Sequence, residues 1–445
     1  MTATGYERNV VPTTTKYDVV GTRPIRHDGA DKVTGRALYG ADVWTAGLLH
    51  GKILRSPHSH ARIKSVDTSK AEVFPGVRAV VTGNDLWPET MDSTVNVGDA
   101  ATNVKYLRDN IMAKEKVLYQ GHPVAGIAAV SPHVAEEALE LIDVEYEILP
   151  SVLTVLEAMQ DDAPLLHDDL ETEEFGAKTG RISNVAVHFQ HKLGNIEKGF
   201  AEADIIVERE FDTATVHQGY IEPHNTTAYW NKDGRLHIWL STQSPFDVKD
   251  TTAVILDIPE SQVRVTPMEI GGGFGGKYEP YGDPVAALLS KKTGQAVKIV
   301  MTRTEEFEST GPTPGSYIKI KIGTTIGGKI TAAQAYLAYE AGAYPGSPVS
   351  DGSKCVLSAY DIPNLIVDGF DTVVNKPKTG AYRAPGATNA AFATETVLDE
   401  LAERLGLDPI EFRLNNASKE GARRADGPRH GRIGCVDVLK AMKNH

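Results

Sequence analysis

Residues 263–277 read VRVTPMEIGGGFGGK. A run typical of a β-strand enters five glycines in six positions, which only Phe274 interrupts, and Lys277 closes the run. Each glycine loses more conformational freedom on folding than any other residue. A chain accepts that loss where its backbone turns sharply or lies against a group that leaves no room for a Cβ, and the amides then suit anionic or oxo ligands. The stretch therefore predicts a loop that cradles a cofactor.

Three interpretations of this loop compete. It contains the dinucleotide-binding pattern G-x-G-x-x-G, but residues 278–283 separate it from a helix predicted to begin near Pro284 with Asp283 as its cap. The acidic residue expected about 20 positions later in a dinucleotide-binding fold is also missing. A P-loop needs Ser or Thr after its lysine, and Tyr278 stands there. The third interpretation is a glycine-rich turn without a ligand.

Length and composition limit the class of protein. A chain of 445 residues with 41% hydrophobic residues predicts two or more domains with substantial cores. The net charge of −13 and the lack of a basic block argue against nucleic acid as a partner. The first residues show no apolar secretory segment, and no run approaches 18 apolar residues, so we expect a cytoplasmic protein without a membrane span. Two cysteines, Cys355 and Cys435, are too few for an iron–sulfur cluster and do not form a zinc spacing.

The order of patterns predicts an α+β fold. Ser131-Pro132 is typical of a helix start, and the alternating residues 143–149 predict a half-buried strand after that helix. Strand patterns dominate residues 205–321 with one helix near 284–293, and further helices are predicted at Thr394–Gly406 and from Asp408. The predicted organisation is a flexible arm (1–18), an α/β domain (19–155), an acidic connector (156–190) and a second α+β domain (191–445).

Several blocks in a fixed order resemble the molybdenum-binding large subunit of the xanthine dehydrogenase family of molybdenum hydroxylases. The blocks that resemble its amino-terminal hammerhead domain are 31–35 (DKVTG), 54–63 (LRSPHSHARI) and 121–125 (GHPVA). The blocks that resemble its first molybdopterin-binding domain are 222–224 (EPH), 241–245 (STQSP), the loop at 271–277, 302–307 (TRTEEF) and 380–386 (GAYRAPG). Each block alone is a weak signal, but together they cover residues 21 to about 415.

The resemblance implies a cofactor and the residues around it. The family holds molybdenum in a pterin dithiolene, so no side chain is expected as a direct metal ligand, and hydrogen-bond donors around the group do the protein's work. The implied cofactor-binding residues are Gln243, Gly272, Gly273, Phe274, Gly275, Gly276 and Arg383. Among them, the resemblance places the amides of Phe274 and Gly275 at the metal's oxygen ligands and assigns catalytic roles to Gln243 and Arg383. A guanidinium at position 383 would orient a substrate and stabilise developing negative charge.

Glu222 and His224 are expected to support a turn near the cofactor, and His217 with His224 to be ordinary hydrogen-bonded histidines rather than a metal pair. Two positions depart from purine-oxidising relatives: Tyr278 stands where they carry a substrate-binding glutamate, and Pro385 where they carry a stacking aromatic residue. The departures favour another small substrate, heteroaromatic or an aldehyde.

The resemblance also implies partners. The family's large subunit normally continues into a second cofactor-binding domain that carries the catalytic glutamate, so this chain is expected to be of the split-subunit type or a truncation. The expected partners are a second molybdopterin-binding subunit with that glutamate, a 2Fe-2S subunit and an FAD subunit. The expected cofactor is molybdenum-molybdopterin in its cytosine dinucleotide form, and the reaction is hydroxylation of an electron-poor carbon with oxygen from water. An NAD-dependent dehydrogenase and a non-catalytic cofactor-insertion or scaffold paralogue remain as alternatives.

Overall fold

The structure, a computed structural model, describes residues 17–20, 22–86, 94–97, 100–443 and 445. The predicted arm at 1–18 therefore lies almost entirely outside the described residues. Two compact units divide the chain at residue 38. The first contains α1 (Gly29–Thr34), and the second, from Tyr39 onward, contains every other helix and strand described below.

Helices and strands alternate irregularly along the second unit. The strands within the described residues are β1 (Leu49–Arg55), β2 (Ala61–Asp67), β3 (Val77–Thr82), β4 (Thr94–Val97), β5 (Ala100–Asn103), β6 (Lys116–Val117), β7 (Pro123–Ala129), β8 (Asp143–Ile148), β9 (Glu171–Glu174), β10 (Ala177–Ile182), β11 (Val185–Leu193), β12 (Ile205–Thr213), β13 (Asn225–Trp230), β14 (Leu236–Leu240), β15 (Val263–Pro267), β16 (Val297–Val300), β17 (Ser316–Thr324), β18 (Ile330–Gly342) and β19 (Leu365–Val373).

The helices of this unit are α2 (Ser69–Glu72), α3 (Val104–Ile111), α4 (Pro132–Leu139), α5 (Val155–Ala158), α6 (Ile196–Ala201), α7 (Pro245–Leu256), α8 (Asp283–Thr293), α9 (Arg303–Ser309), α10 (Val349–Cys355), α11 (Ala387–Leu405), α12 (Pro409–Asn416) and α13 (Cys435–Lys443). None of the helices in the described ranges is long and apolar enough to cross a membrane.

Two seven-stranded sheets form the framework. One has the strand order β15-β14-β13-β16-β1-β7-β3 and the other β10-β9-β11-β19-β18-β17-β12. Both mix parallel and antiparallel pairs; β1 runs parallel to β16, and β18 runs parallel to β19. The first sheet therefore takes three strands from residues 49–129 and four from residues 225–300, although these ranges lie on opposite sides of the predicted connector.

Each sheet packs helices against one apolar core. Helix α8 places Val285, Ala286 and Leu289 against the first sheet, where they join a cluster with Ile238 and Val297. Helix α11 packs against the second sheet through the residues Val397, Leu398, Leu401 and Ala402. The mixed sheets with helices packed on them confirm the predicted α+β class.

Local signals predicted several elements correctly. Ser131 accepts a hydrogen bond from the Val134 N–H at the start of α4, as expected of its cap. Gly406 ends α11 in the left-handed region (φ 64°), and Asp408 caps α12. At α8, however, the predicted cap was wrong: the N-cap is Gly282, and Asp283 is the first helical residue, with a carboxylate that accepts from the Tyr281 N–H.

Other elements were missed. Residues 205–321 contain α7 and α9 in addition to the single helix predicted there. Helix α7 carries Thr251, Thr252 and Val254, which are poor helix formers, so its propensity signal is weak. The predicted connector holds β9 and β10, and β10 is exposed along its whole length, so it lacks the apolar alternation that marks a half-buried strand.

Candidate functional site

The glycine-rich loop follows β15 and lies against the turn that precedes β13. The Glu222 carboxylate accepts hydrogen bonds from the Gly271 N–H at 2.7 Å, the Ser241 hydroxyl at 2.7 Å and the Lys277 ammonium at 2.9 Å. Burial opposes ionisation of Glu222, but these donors together lower the pKa of its carboxyl below the usual value. Glu222 therefore supports the loop, as predicted from the sequence.

Lys277 anchors the other end of the loop. Its side chain is fully buried, and its ammonium donates to the Glu222 carbonyl oxygen and the Ser241 hydroxyl, both at 2.8 Å, as well as to the Glu222 carboxylate. Burial lowers the pKa of this lysine, while the Glu222 carboxylate opposes that shift. Every polar contact of the ammonium is internal, so Lys277 holds the loop and does not reach towards a ligand.

The glycines are required by contacts within the protein. A Cβ on Gly273 would stand 2.4 Å from Oε1 of Gln243, and one on Gly275 would stand 2.5 Å from the Ala381 carbonyl oxygen. A Cβ on Gly272 or Gly276 would stand 2.9 Å or 2.8 Å from the Tyr220 side chain. The sequence argument attributed the glycines to the approach of a cofactor, but in the structure their missing side chains make room for the protein itself.

This packing brings the predicted site residues together. Gln243 Oε1 accepts from the Gly275 N–H at 2.8 Å, and the Arg383 N–H donates to the Phe274 carbonyl oxygen at 2.8 Å. The Gly275 amide, expected at an oxygen ligand of the metal, is thus already bound by Gln243. Since the Gln243 oxygen faces this amide, its Nε2 group remains as a donor with no partner among the described residues.

Other donors at the loop are also unpaired. The amides of Gly272, Gly273 and Phe274 have no hydrogen-bond partner within the part of the chain that the structure describes. The Arg383 side chain is exposed and likewise makes no ion pair or hydrogen bond to a described residue. Backbone N–H groups are nearly always paired once they are buried, and Gly273 is buried. A cluster of unpaired donors suits an oxo or anionic group.

The glycine-rich loop and the Arg383 segment each contain a residue other than glycine with a positive φ. Phe274 has φ 53° and Ala384 has φ 64°, and residues other than glycine seldom adopt this left-handed region. Ala384 follows directly on Arg383, so one strained residue lies in each of the segments that the Arg383–Phe274 hydrogen bond joins. Such strain persists where the surroundings impose it, and it concentrates at functional sites.

A buried carboxylate under the loop was not identified from the sequence. Glu306 is fully buried and accepts from the Tyr220 hydroxyl at 2.5 Å and from His224 through both Nδ1 at 2.7 Å and the backbone N–H at 2.6 Å. Despite burial, these donors hold the pKa of Glu306 far below its usual range, with the charge of His224 the largest lowering influence. His217 lies on the same carboxylate at 3.7 Å and bonds to Thr310, so both histidines are hydrogen-bonded as predicted.

Gln218 was also missed, and no sequence signal indicates it. Its Nε2 donates to the carbonyl oxygens of Gly311 at 2.9 Å and Ala381 at 2.7 Å, and so joins the segment before Arg383 to Gly311. Beyond Lys277, a cavity of about 170 Å³ opens beside Glu279 and Pro280. Its other walls come from α3, α7 and the segments at Tyr344 and Lys378, with Tyr106, Leu107 and Asn110 among them.

The chain is similar in sequence to known proteins. Residues 178–417 match the molybdopterin cofactor-binding domain, and residues 34–150 match the a/b hammerhead domain of aldehyde oxidase and xanthine dehydrogenase. The chain is 30% identical to the nicotinate dehydrogenase large molybdopterin subunit of Eubacterium barkeri over 96% of both chains. It is 34% identical to the carbon monoxide dehydrogenase large chain of Afipia carboxidovorans over 86% of this chain and 48% of that one.

Solved structures of known proteins are similar to this chain in fold. Quinoline 2-oxidoreductase from Pseudomonas putida 86 has a TM-score of 0.85 at 27% identity over 95% of this chain and 54% of that one. Aldehyde oxidoreductase from Desulfovibrio gigas has a TM-score of 0.83 at 26% identity over 94% and 46% of the two chains. The chain thus spans about half the length of several relatives and nearly all of one. With a cofactor-domain match over more than half of its residues, the chain belongs to the xanthine dehydrogenase family of molybdopterin-binding oxidoreductases, the molybdenum hydroxylases.

Proposed function

We propose that this chain is the molybdopterin-binding subunit of a multi-subunit hydroxylase that acts on an electron-poor carbon of a small heteroaromatic or aldehyde molecule. The observation that carries the proposal is the cluster of unpaired donors at the loop: three consecutive amides, the Gln243 Nε2 group and the Arg383 guanidinium. When bound, the molybdenum cofactor supplies two-electron oxidation with an oxygen atom that derives from water.

Each residue then has a distinct task. The amides of Gly272, Gly273 and Phe274 bind oxygen atoms of the cofactor, and the Gln243 Nε2 group donates to one more. Gly275 does not bind the cofactor directly in this scheme, because its amide serves to orient Gln243. Arg383 orients the substrate and stabilises negative charge that develops during the reaction.

The cavity beside the loop is where we propose that the substrate approaches. Its lining combines apolar side chains such as Leu107 and Ile111 with a few polar groups, among them Asn110 and Glu279, as in pockets that hold small organic molecules. Tyr278 and Pro385 replace the residues with which purine-oxidising relatives hold their substrate, which favours a non-purine molecule.

Further subunits complete the proposed enzyme. Exposed side chains surround the loop: Ile221 is 89% exposed, Phe246 75% and Phe274 52%. We propose that a second molybdopterin-binding partner covers this face and brings the glutamate that acts as base. Electrons would leave through 2Fe-2S and FAD subunits in the cytoplasm, since Cys355 and Cys435 cannot form a cluster site. The cofactor would be the cytosine dinucleotide form.

Metal and nucleotide analysis of the native complex tests the proposal. We expect about one molybdenum per chain, release of cytidine monophosphate on acid hydrolysis, and oxidation of an aldehyde or N-heteroaromatic compound with an artificial electron acceptor. Bound NAD without metal would instead identify a dehydrogenase. A metal-free complex that stays inactive with every compound would identify the scaffold or cofactor-insertion paralogue.

A further inference from the structure

A second, much smaller cavity lies behind the glycine-rich loop. It measures about 10 Å³ and is lined by His224, Asn225, Thr226, Leu240, Gly282, Asp283, Ile299 and Met301. A volume of this order is close to that of one water-sized sphere. The proposed reaction assigns no task to this cavity.

Three polar atoms from its walls have no hydrogen-bond partner among the described residues. They are Nε2 of His224, Oγ1 of Thr226 and Oδ1 of Asp283, and their residues are only 8%, 3% and 4% exposed. Buried polar groups are nearly always paired, either with protein or with ordered water. Three unpaired groups around one water-sized space therefore indicate an occupant.

Asn225 does not belong to this set, although its Oδ1 is also unpaired. A Cβ built on Gly40 would stand 1.7 Å from that oxygen, so it points towards Gly40. Thr226 is the next residue of β13, and neighbouring strand residues face opposite sides of the sheet. Its methyl group lies beside Gly282, which directly precedes Asp283.

We propose that this cavity binds one water molecule and that this water links the His224 ring to Thr226 and Asp283. The Glu306 carboxylate lies 2.7 Å from Nδ1 of His224 and accepts its proton, so Nε2 is the ring nitrogen left to bond in the cavity. The water exchanges hydrogen bonds with Nε2 of His224, the Thr226 hydroxyl and the Asp283 carboxyl.

His224 is connected to the glycine-rich loop through Glu306 and Tyr220. This carboxylate also accepts a hydrogen bond from the Tyr220 hydroxyl. Tyr220 in turn lies against the loop, since a Cβ built on Gly272 or Gly276 would stand within 3 Å of its side chain. His224, Thr226 and Asp283 are accordingly positioning residues. They hold the surface on which the loop rests and do not contact substrate.

Crystallography of the full chain, alone or in its complex, tests the site directly. We expect one electron-density peak at about 2.7–3.2 Å from His224 Nε2, Thr226 Oγ1 and Asp283 Oδ1. An empty cavity would overturn the proposal. So would an anomalous signal after soaking with Tl⁺, because it would identify a monovalent-cation site.

A solution experiment uses two adjacent threonines. Thr226→Val keeps the side-chain volume but removes the hydroxyl, and water ¹⁷O relaxation dispersion should then show about one fewer long-lived internal water per chain. Thr227→Val is the matched control, since Thr227 is 0% exposed with an equally unpaired hydroxyl but does not line the cavity. Equal water counts in wild type and Thr226→Val would contradict the proposal.

Discussion

At the scale of single residues, Gly275 shows how the loop depends on close packing. It has φ 108°, and a Cβ would stand 2.5 Å from the Ala381 carbonyl oxygen. We expect Gly275→Ala to separate the loop from the Arg383 segment and to lower molybdenum occupancy of the complex several-fold. The measurement is metal per chain by elemental analysis, with thermal unfolding to follow stability.

Gly427→Ala is the control for this prediction. Gly427 has φ 104°, but no atom lies within 4 Å of its Cβ position, so the variant carries the backbone strain without the clash. It should lose about 1–2 kcal/mol of stability and keep its metal. If Gly275→Ala lost no more stability or metal than Gly427→Ala, the contact with Ala381 would be unimportant.

Arg383 is the second residue whose role can be isolated. Its side chain is exposed and contacts no described partner, so replacing it should leave the fold intact. Arg383→Lys keeps the charge but loses the planar fork, and we expect turnover to fall about 10²-fold with unchanged metal content. Steady-state kinetics on the assembled enzyme measures this change. Unchanged turnover would show that Arg383 has no role in the reaction.

At the scale of elements, Lys277 connects the loop to β14 and to the turn before β13. Its ammonium is fully buried on Glu222, whose side chain is 12% exposed. Lys277→Met leaves that carboxylate without its cation, and we expect a loss of about 3–5 kcal/mol in urea unfolding. The double variant Lys277→Met with Glu222→Gln should be less destabilised than the sum of the single changes. Simple additivity would show that the two side chains are not coupled.

The sequence predicted elements where a local signal exists and missed them where tertiary contacts decide. Caps at Ser131, Gly406 and Asp408 were readable because they involve residues within one turn. The exposed strand β10 and the helix α7 lack such a signal. For the site, the resemblance predicted that Gln243, the loop and Arg383 lie together. It did not predict the hydrogen bond from the Gly275 N–H to Gln243, which joins residues 32 positions apart in the chain. Local patterns do not specify a contact of that kind.

At the scale of the whole molecule, the pairing of distant strands was beyond prediction. The parallel pair β1 and β16 joins residues about 250 positions apart, so the ranges predicted as two domains share one sheet. The predicted domain boundaries at 155 and 191 stay a prediction, and they do not separate the strands of this sheet.

Two buried histidines should make the fold sensitive to acid. Burial lowers the pKa of His122 to about 3 and that of His167 to about 4, against an ordinary value of 6.5. Both histidines are neutral in the folded state, so their stabilising contribution is present above pH 6.5 and is lost as the pH falls towards 4. Each contributes a slope of about 1.4 kcal/mol per pH unit in that window.

Asp109 opposes this effect. Burial raises its pKa to about 6, although the Tyr344 hydroxyl and the Lys114 N–H counteract the shift, so the folded state binds this proton more tightly than the unfolded state between about pH 4 and 6. Urea unfolding from pH 4 to 7 should show a shallower slope for His122→Gln and a steeper one for Asp109→Asn. A slope that neither substitution changes would show that other groups dominate acid sensitivity.

The open face of the site leads to the last prediction. Gln243, Phe274 and Arg383 are all exposed, and Ile221 and Phe246 extend an apolar surface around them. A cofactor held only on this face would remain exposed to solvent, whereas the reaction requires that bulk water be excluded. We therefore expect the purified 445-residue chain to bind little molybdenum and to show no hydroxylase activity when it is produced under conditions that support cofactor synthesis.

Co-expression with a second molybdopterin-binding partner should restore both properties. The interface should be large and apolar, on the order of 2,000 Å² or more, as in permanent complexes. Ile221→Asp and Phe246→Asp together should prevent copurification of the partner, whereas Ile326→Asp, at a residue 73% exposed on the turn between β17 and β18, should leave it unchanged. A monomeric 445-residue chain that carries stoichiometric molybdenum and turns over substrate would refute the prediction, because the site would then be complete within these residues.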